Sequence, residues 1–213
     1  MFGIEAGAPV FPCLASFRTI ILSPRPRVIS TPPRTAFSES SYSAAGVSMR
    51  AVIQRVSQAS VIVEGKVVSS IGRGLVVLLG IEQSDKDSDR AWMSEKIPNL
   101  RIFEDAAGKM NVSVIEVAAQ AAPPGSASTG ILLVPNFTVA GDARKGRRPS
   151  FENAMRPELS DAEFGRIVEA VRGIAGPVVS VQTGVFRADM KVALVNDGPV
   201  TICLDSRATS ASS

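Results

Sequence analysis

The sequence predicts one mixed α/β domain, a mostly antiparallel sheet packed against two main helices. Three observations predict it. Short β-branched runs bounded by turn residues outnumber helical segments. One of those runs, Gly74-Leu75-Val76-Val77-Leu78-Leu79-Gly80-Ile81, is apolar on both alternating faces, as a strand covered on each side must be. Two further segments change to helical spacing, and no internal repeat is visible.

Order begins at Arg50, with Ala51-Val52-Ile53-Gln54-Arg55-Val56 and Ala59-Ser60-Val61-Ile62-Val63, and Glu64-Gly65-Lys66 turns into Val67-Val68-Ser69-Ser70-Ile71. The apolar run at 74–81 follows as the central strand. Ser84 to Leu100 interleaves Ala91, Trp92 and Ile97 with Asp87, Arg90, Glu95 and Lys96, which predicts a helix of about three turns that Pro98 should end early. Arg101 to Asp105 reads as a short strand, Ala106 to Lys109 as a turn, and Asn111 to Val117 as a further extended piece. Ala118 to Gly130, holding Pro123-Pro124-Gly125-Ser126, is a low-complexity loop insertion. Ile131-Leu132-Leu133-Val134 is a buried strand that stops at Pro135. Ser160-Asp161-Ala162-Glu163 has the form of a capping box, and Phe164, Ile167, Val168, Val171 and Ile174 trace one helical face behind it. Val178 to Phe186, Met190 to Val195 and Val200 to Leu204 supply the last strands.

The domain is expected to span 49–206, with a disordered tail at 207–213. Residues 1–48 hold six prolines, scattered serines and four arginines against two glutamates, without a period of 2 or 3.6. Such a segment is either a transit peptide or a disordered leader ahead of a start at Met49. The expected location is accordingly cytoplasmic, or a mitochondrion or plastid if residues 1–48 act as a transit peptide. Arg18 to Leu22 is far shorter than the ~20 apolar residues of a membrane span, so no membrane association is expected. Of 23 basic and 20 acidic residues, four and two lie in the leader, so the rest of the chain carries a net +1. Any phosphate binding must then come from a local cluster rather than from the global field. The absence of histidine excludes Ser-His and Cys-His nucleophile pairs and imidazole metal sites, and two cysteines are too few for a disulfide scaffold. No metal or other cofactor is expected.

Chemistry has three candidate locations. Pro135-Asn136-Phe137-Thr138-Val139 is a strand end carrying a hydroxyl and backbone N–H groups released from the ladder; on residue type alone, Thr there is equally a β-propensity choice. Arg144, Lys145, Arg147 and Arg148 place four cations within five residues, either a phosphate clamp or a solvated loop. Asn196-Asp197-Gly198-Pro199-Val200-Thr201 carries a hairpin signal, with a proline directly after the glycine, where a cis bond costs only about 0.5–1 kcal/mol. A turn of that kind aims two carbonyl oxygens in nearly the same direction and can act as a rigid polar wedge.

Taken in order, Met49-Arg50-Ala51-Val52-Ile53-Gln54-Arg55-Val56, Arg101-Ile102-Phe103, Gly108-Lys109-Met110-Asn111, Phe137-Thr138, Lys145-Gly146-Arg147-Arg148-Pro149-Ser150-Phe151, Gln182-Thr183-Gly184 and Asn196 to Thr201 resemble the D-aminoacyl-tRNA deacylase family. The likeness runs from Met49 to about Asp205. It implies that fold and a homodimer that hydrolyses the ester joining a D-amino acid, or mischarged glycine, to the 3′ end of tRNA. It also implies that Gly198 and Pro199 form a cis-linked wedge that enters the partner's active site and obstructs L side chains. By the same likeness Arg55 holds that turn, Met190 and Asn136 border the pocket near the terminal adenosine, and Phe137 and Thr138 belong to the catalytic strand end. The resemblance leaves two mechanisms, a Thr138 nucleophile or water assisted by the ribose 2′-hydroxyl. The residues favour water, since no histidine exists to deprotonate Thr138, and N–H groups near Phe137 and Thr138 can meet an oxyanion.

One departure bears on selectivity. Pro135-Asn136 stands where the family usually has Ser-Gln, and a related animal branch that accepts L-alanyl-tRNA also carries proline at the first position. The alternatives to D selectivity are therefore an L-alanyl-tRNA editor and, from another class, a tRNA-binding module without catalysis.

Overall fold

The computed structural model describes residues 48–121 and 129–206. The expectations for residues 1–47, for the heart of the insertion at 122–128 and for the tail at 207–213 lie outside the described residues. Ser48, expected to belong to the leader, is already buried against the domain.

The main sheet is built around β1 (Arg50–Val63). Along one edge, β1 pairs antiparallel first with β3 (Gly74–Gly80) and then with β2 (Lys66–Ile71); along the other it pairs with β8 (Met190–Asp205) over its whole length. Beyond β3, β6 (Gly130–Pro135) and β7 (Ser180–Thr183) continue the sheet in parallel. Parallel neighbours need crossovers, and helices supply them. α1 (Asp87–Asn99) and α2 (Val114–Gln120) fall between β3 and β6, and α3 (Pro157–Ala175) between β6 and β7. A small ribbon, β4 (Phe103–Glu104) with β5 (Met110–Val112), completes the fold.

The core is divided by the sheet. On the helix side Ala51, Ile53, Leu75, Val77, Leu79, Ile131 and Leu133 meet Met93 and Ile97 of α1 and Ile167 and Val171 of α3. On the other side Val76, Leu132 and Val134 meet Val56, Ala59 and Val61. Leu75 to Leu79 therefore feed two cores alternately, which is why the run is apolar at nearly every position. β1 changes the phase of its burial at the exposed pair Ser57–Gln58, where its register against β8 also shifts, so residues after this bulge face the second core.

Several expectations are corrected. The two main helices are α1 and α3, of 13 and 19 residues, and a short third helix of 7 residues was not expected. Residues 114–120, expected as an extended piece and the start of a loop, form α2, because Ser113 and Glu116 close a capping box. The Ser113 hydroxyl oxygen accepts the Glu116 N–H, and the Glu116 carboxylate accepts the Ser113 N–H at 2.7 Å. Gly130, also assigned to the insertion, opens β6. α1 includes Pro98 and ends one residue later, at Asn99, and Pro98 has no N–H to give the Ser94 carbonyl. α3 begins at Pro157 in its first turn rather than at Ser160, and Glu163 turns instead to Arg90 and Arg166, each at 2.6 Å. Ala175, not the part-exposed Ile174, ends its buried face. Finally, 190–205 is one strand: Asn196 to Val200 is a bulge within β8, not a hairpin between two strands.

Candidate active site

β6 ends at Pro135, opposite Leu79 of β3, and the Asn136 N–H donates to the Leu79 carbonyl at 2.8 Å. The chain then makes one 3-10 turn, Phe137–Ala140, with Asn136 as its cap. Asn136 Oδ1 accepts both the Thr138 N–H, at 3.2 Å, and the Thr138 hydroxyl. Phe137 opens the turn, so its own N–H has no carbonyl within the turn to bond. Its ring is 59% exposed and meets Phe151 edge-on, centroids 5.2 Å apart.

This strand end borders a cavity of about 700 Å³ walled by Pro135, Asn136, Phe137, Phe151, Arg156 and Met190, among others. The walls are mostly apolar, with the Phe137–Phe151 pair among them and Arg156 and Arg187 set beside Glu152 and Asp189. Gly184 lets Met190 reach the wall. A Cβ there would stand 2.8 Å from Met190 Sδ and 3.3 Å from Pro135 Cδ, and Met190 Sδ accepts the Val185 N–H at 3.3 Å. Of the expected residues, Asn136, Phe137 and Met190 therefore meet on one cavity. Thr138 is exposed, beside the wall rather than part of it. Phe186 and Arg187 were not singled out in the sequence; only proximity to Met190 in the chain could have suggested them.

The basic segment is a closed lobe between the turn and Phe151. Asp142 and Ser150 exchange two backbone hydrogen bonds of 2.8 Å across its neck. Arg144 is exposed but is not a spare cation. It folds back on Asp142, with Nε donating at 2.9 and 3.1 Å and NH2 at 2.6 Å, and those bonds hold the Asp142 carboxyl far below the usual range. Lys145, Arg147 and Arg148 make no ion pair to a described residue and are exposed.

Gly198 and Pro199 lie elsewhere. They are exposed in the β8 bulge and are absent from the cavity wall. The cavity wall reaches Val192 on β8, and from there the strand runs four residues to Asn196, roughly 13 Å at ~3.3 Å per residue, before the bulge carries the chain through Gly198. The Gly198–Pro199 bond is cis and Gly198 has φ +133. Beneath the bulge Arg55 is buried in β1. Its Nε donates to the Asp197 carbonyl at 2.9 Å, its NH1 to the Ile102 carbonyl at 2.7 Å, and the Asp197 carboxylate lies 3.4 Å away. Asn196 braces the loop from within, accepting the Val200 N–H at 2.8 Å. One chain thus presents two separate features, a cavity and a buttressed loop.

The model of the D-Tyr-tRNA(Tyr) deacylase family matches residues 52–205. A D-aminoacyl-tRNA deacylase of Geobacter metallireducens is 52% identical over 158 residues, 74% of this chain and 96% of that protein. One of Myxococcus xanthus is 55% identical over 158 residues, 74% of this chain and 95% of that protein. Among solved structures, a c-Myc DNA unwinding element binding protein superposes with TM-score 0.64 at 40% identity, covering 73% of this chain and 97% of that one. A probable eukaryotic D-amino acid tRNA deacylase shares the fold, with TM-score 0.60 at 18% identity over 74% of this chain and 99% of that one. None of the described helices is long and apolar enough to cross a membrane. The chain belongs to the D-aminoacyl-tRNA deacylase family.

Proposed function

We propose that this protein works as a homodimer that hydrolyses the ester between a D-amino acid, or mischarged glycine, and the 3′ end of tRNA, as a proofreading step of translation. The supporting observation is the separation of the two features above. A Gly198–Pro199 loop that lines no part of its own cavity and is held to β1 by Arg55 and braced by Asn196 is not placed to screen what that cavity holds. A second copy can bring its loop to the mouth, where main-chain atoms leave room for hydrogen or a D side chain and obstruct an L side chain.

In this reading the terminal adenosine enters the cavity beside Met190, with the exposed Phe137 ring as a stacking face. Lys145, Arg147 and Arg148 hold the backbone phosphates of the acceptor end, while Arg144 shapes the lobe through Asp142. Water adds to the ester carbonyl, the Phe137 N–H meets the developing oxyanion, and the bond to the ribose oxygen breaks to release the free amino acid and tRNA. Thr138 is not the nucleophile. Its proton is directed at the Asn136 amide oxygen, which accepts a hydrogen bond but is no base at neutral pH. The hydroxyl oxygen instead presents its lone pairs as an acceptor toward the substrate.

Mixing two inactive variants tests the shared site. Phe137→Ala removes the cavity side and Gly198→Ala the loop side. Random reassortment gives half heterodimers, each with one of two sites intact, so activity returns to about a quarter of wild type. A mixture as inactive as its components would contradict a site shared between subunits.

Pro135 supports a second reading. It stands on the cavity wall against Gly184 and Met190, and a pocket altered there suits an L-alanine-tolerant editor. Deacylation of L-alanyl-tRNA beside D-alanyl-tRNA separates the two: loss of the D form alone supports D selectivity.

A further inference from the structure

One turn on the cavity wall holds an arginine where the backbone favours glycine. The Ala188 N–H donates to the Val185 carbonyl at 3.3 Å, which puts Phe186 and Arg187 at the centre of a turn between β7 and β8. Arg187 has φ 60, in the left-handed region where the second central residue of a turn is ordinarily glycine or asparagine. A residue with a Cβ is held there against steric resistance, and such residues gather at active sites and ligand clamps. Among the described residues the other non-glycine with positive φ is Glu64, and there the turn itself requires it. Glu64 and Gly65, at φ 50 and 77, are the central pair of the tight hairpin from β1 to β2, where both must be positive. No neighbour compensates Arg187. It is exposed and makes no hydrogen bond or ion pair to a described residue, although Asp189, Glu152 and Arg156 line the same cavity.

We propose that the Arg187 guanidinium binds the phosphodiester on the 5′ side of the terminal adenosine, a subsite at the rim of the cavity. This rests on the deacylase reading above and adds a contact to it. A ribose carries its 3′ ester and its 5′ phosphate on opposite sides of the ring. With the ester at Phe137 and the base beside Met190, the turn just ahead of Met190 is the part of the wall left for the 5′ side. The charges agree with that orientation. The 5′ group is the anion of this end of the substrate, whereas the α-amino group on the ester side is a cation that an arginine repels. A guanidinium also presents its donors in a fixed fork that matches two phosphate oxygens. Lys145, Arg147 and Arg148 line no part of the cavity and remain for phosphates farther from the ester.

The test measures binding of two nucleosides by NMR titration, adenosine and adenosine 5′-(methyl phosphate), which carries the single charge of a phosphodiester. Deacylation of D-tyrosyl-tRNA is followed in parallel. Wild type should bind the phosphorylated nucleoside about tenfold more tightly, as one charge-assisted hydrogen bond at an exposed site supplies, and high salt should shrink the ratio. Arg187→Gly and Arg187→Ala should bind both nucleosides alike and raise KM for D-tyrosyl-tRNA. Arg187→Lys should keep part of the ratio and Arg156→Gln all of it. Arg187→Gly should unfold in urea no more readily than wild type, because glycine adopts φ 60 freely, so its lost preference does not come from a damaged fold. Absence of D-tyrosyl-tRNA cleavage by wild type would overturn the deacylase reading and the proposal with it. With cleavage intact, equal binding of the two nucleosides, a preference that survives Arg187→Ala, or one that disappears in Arg156→Gln would overturn the subsite alone.

Discussion

Arg55→Ala separates holding the loop from merely filling the interior. The arginine makes two hydrogen bonds from a buried guanidinium to main-chain carbonyls, 2.9 Å to Asp197 and 2.7 Å to Ile102. Bonds to charged donors contribute about 1.5–3 kcal/mol each. The carboxylates nearby add little, because Asp197 and Glu104 are 44% and 60% exposed and solvent screens them. The variant should lose about 3–5 kcal/mol of stability, a large part of the ~5–15 kcal/mol typical of a domain. Urea unfolding measures that loss. The functional consequence is distinct: a loop released from Arg55 no longer keeps a fixed shape, so the D/L ratio of deacylation rates should fall about 10- to 100-fold, equivalent to ~1.4–2.8 kcal/mol of discrimination. Arg55→Lys, which cannot span both carbonyls, should show an intermediate ratio. If the variants lose stability while the D/L ratio stays at the wild-type value, Arg55 does not position the selective element.

Three other outcomes follow from the geometry. In Gly198→Ala the new Cβ would lie 2.7 Å from Val200 Cγ2 and 3.1 Å from Arg55 NH2 at φ +133, which should cost about 1–3 kcal/mol in thermal unfolding and abolish D-aminoacyl-tRNA cleavage. Asn136→Ala frees both the N–H and the hydroxyl of Thr138 and should reduce kcat about tenfold or more, whereas Thr138→Val should leave hydrolysis measurable; complete loss in Thr138→Val with an acyl-enzyme trapped in wild type would restore the nucleophile. In the full chain, Glu82 stays protonated up to about 7 when folded but only to the ordinary ~4.3 when unfolded, so stability should decline as pH rises between those values, by roughly 3–4 kcal/mol, and Glu82→Gln should remove that slope in urea titrations.

The sheet was legible because its strands are β-branched runs with turn residues between them, and α3 because its apolar residues recur at helical spacing. Elsewhere two local signals competed. Val114-Ile115-Glu116-Val117 has strand propensity, and the Ser113–Glu116 box that overrides it is visible only to a reader who ranks capping above β-branching. Asp197-Gly198 carries a hairpin signal, yet β1 continues past it, with shifts of register, and pairs with β8 on both sides, a long-range demand that no local rule anticipates. At the site, residue types pointed to the strand end at 135–139 and the family resemblance added Met190; Asn136, Phe137 and Met190 do share a cavity. They could not reveal that Asp142 engages Arg144, or that Asn136 holds the Thr138 proton, because both depend on where a turn directs its side chains. Nor could they reveal Glu82, since a lone glutamate after an apolar run gives no sign that the entering chain will bury it.

The central claim is a handedness filter on ester hydrolysis, and single-turnover deacylation of D-tyrosyl- and L-tyrosyl-tRNA by the wild-type protein tests it most directly. The account predicts rapid loss of the D ester with the L ester decaying no faster than in buffer. Equal enzymatic rates for the two would contradict it.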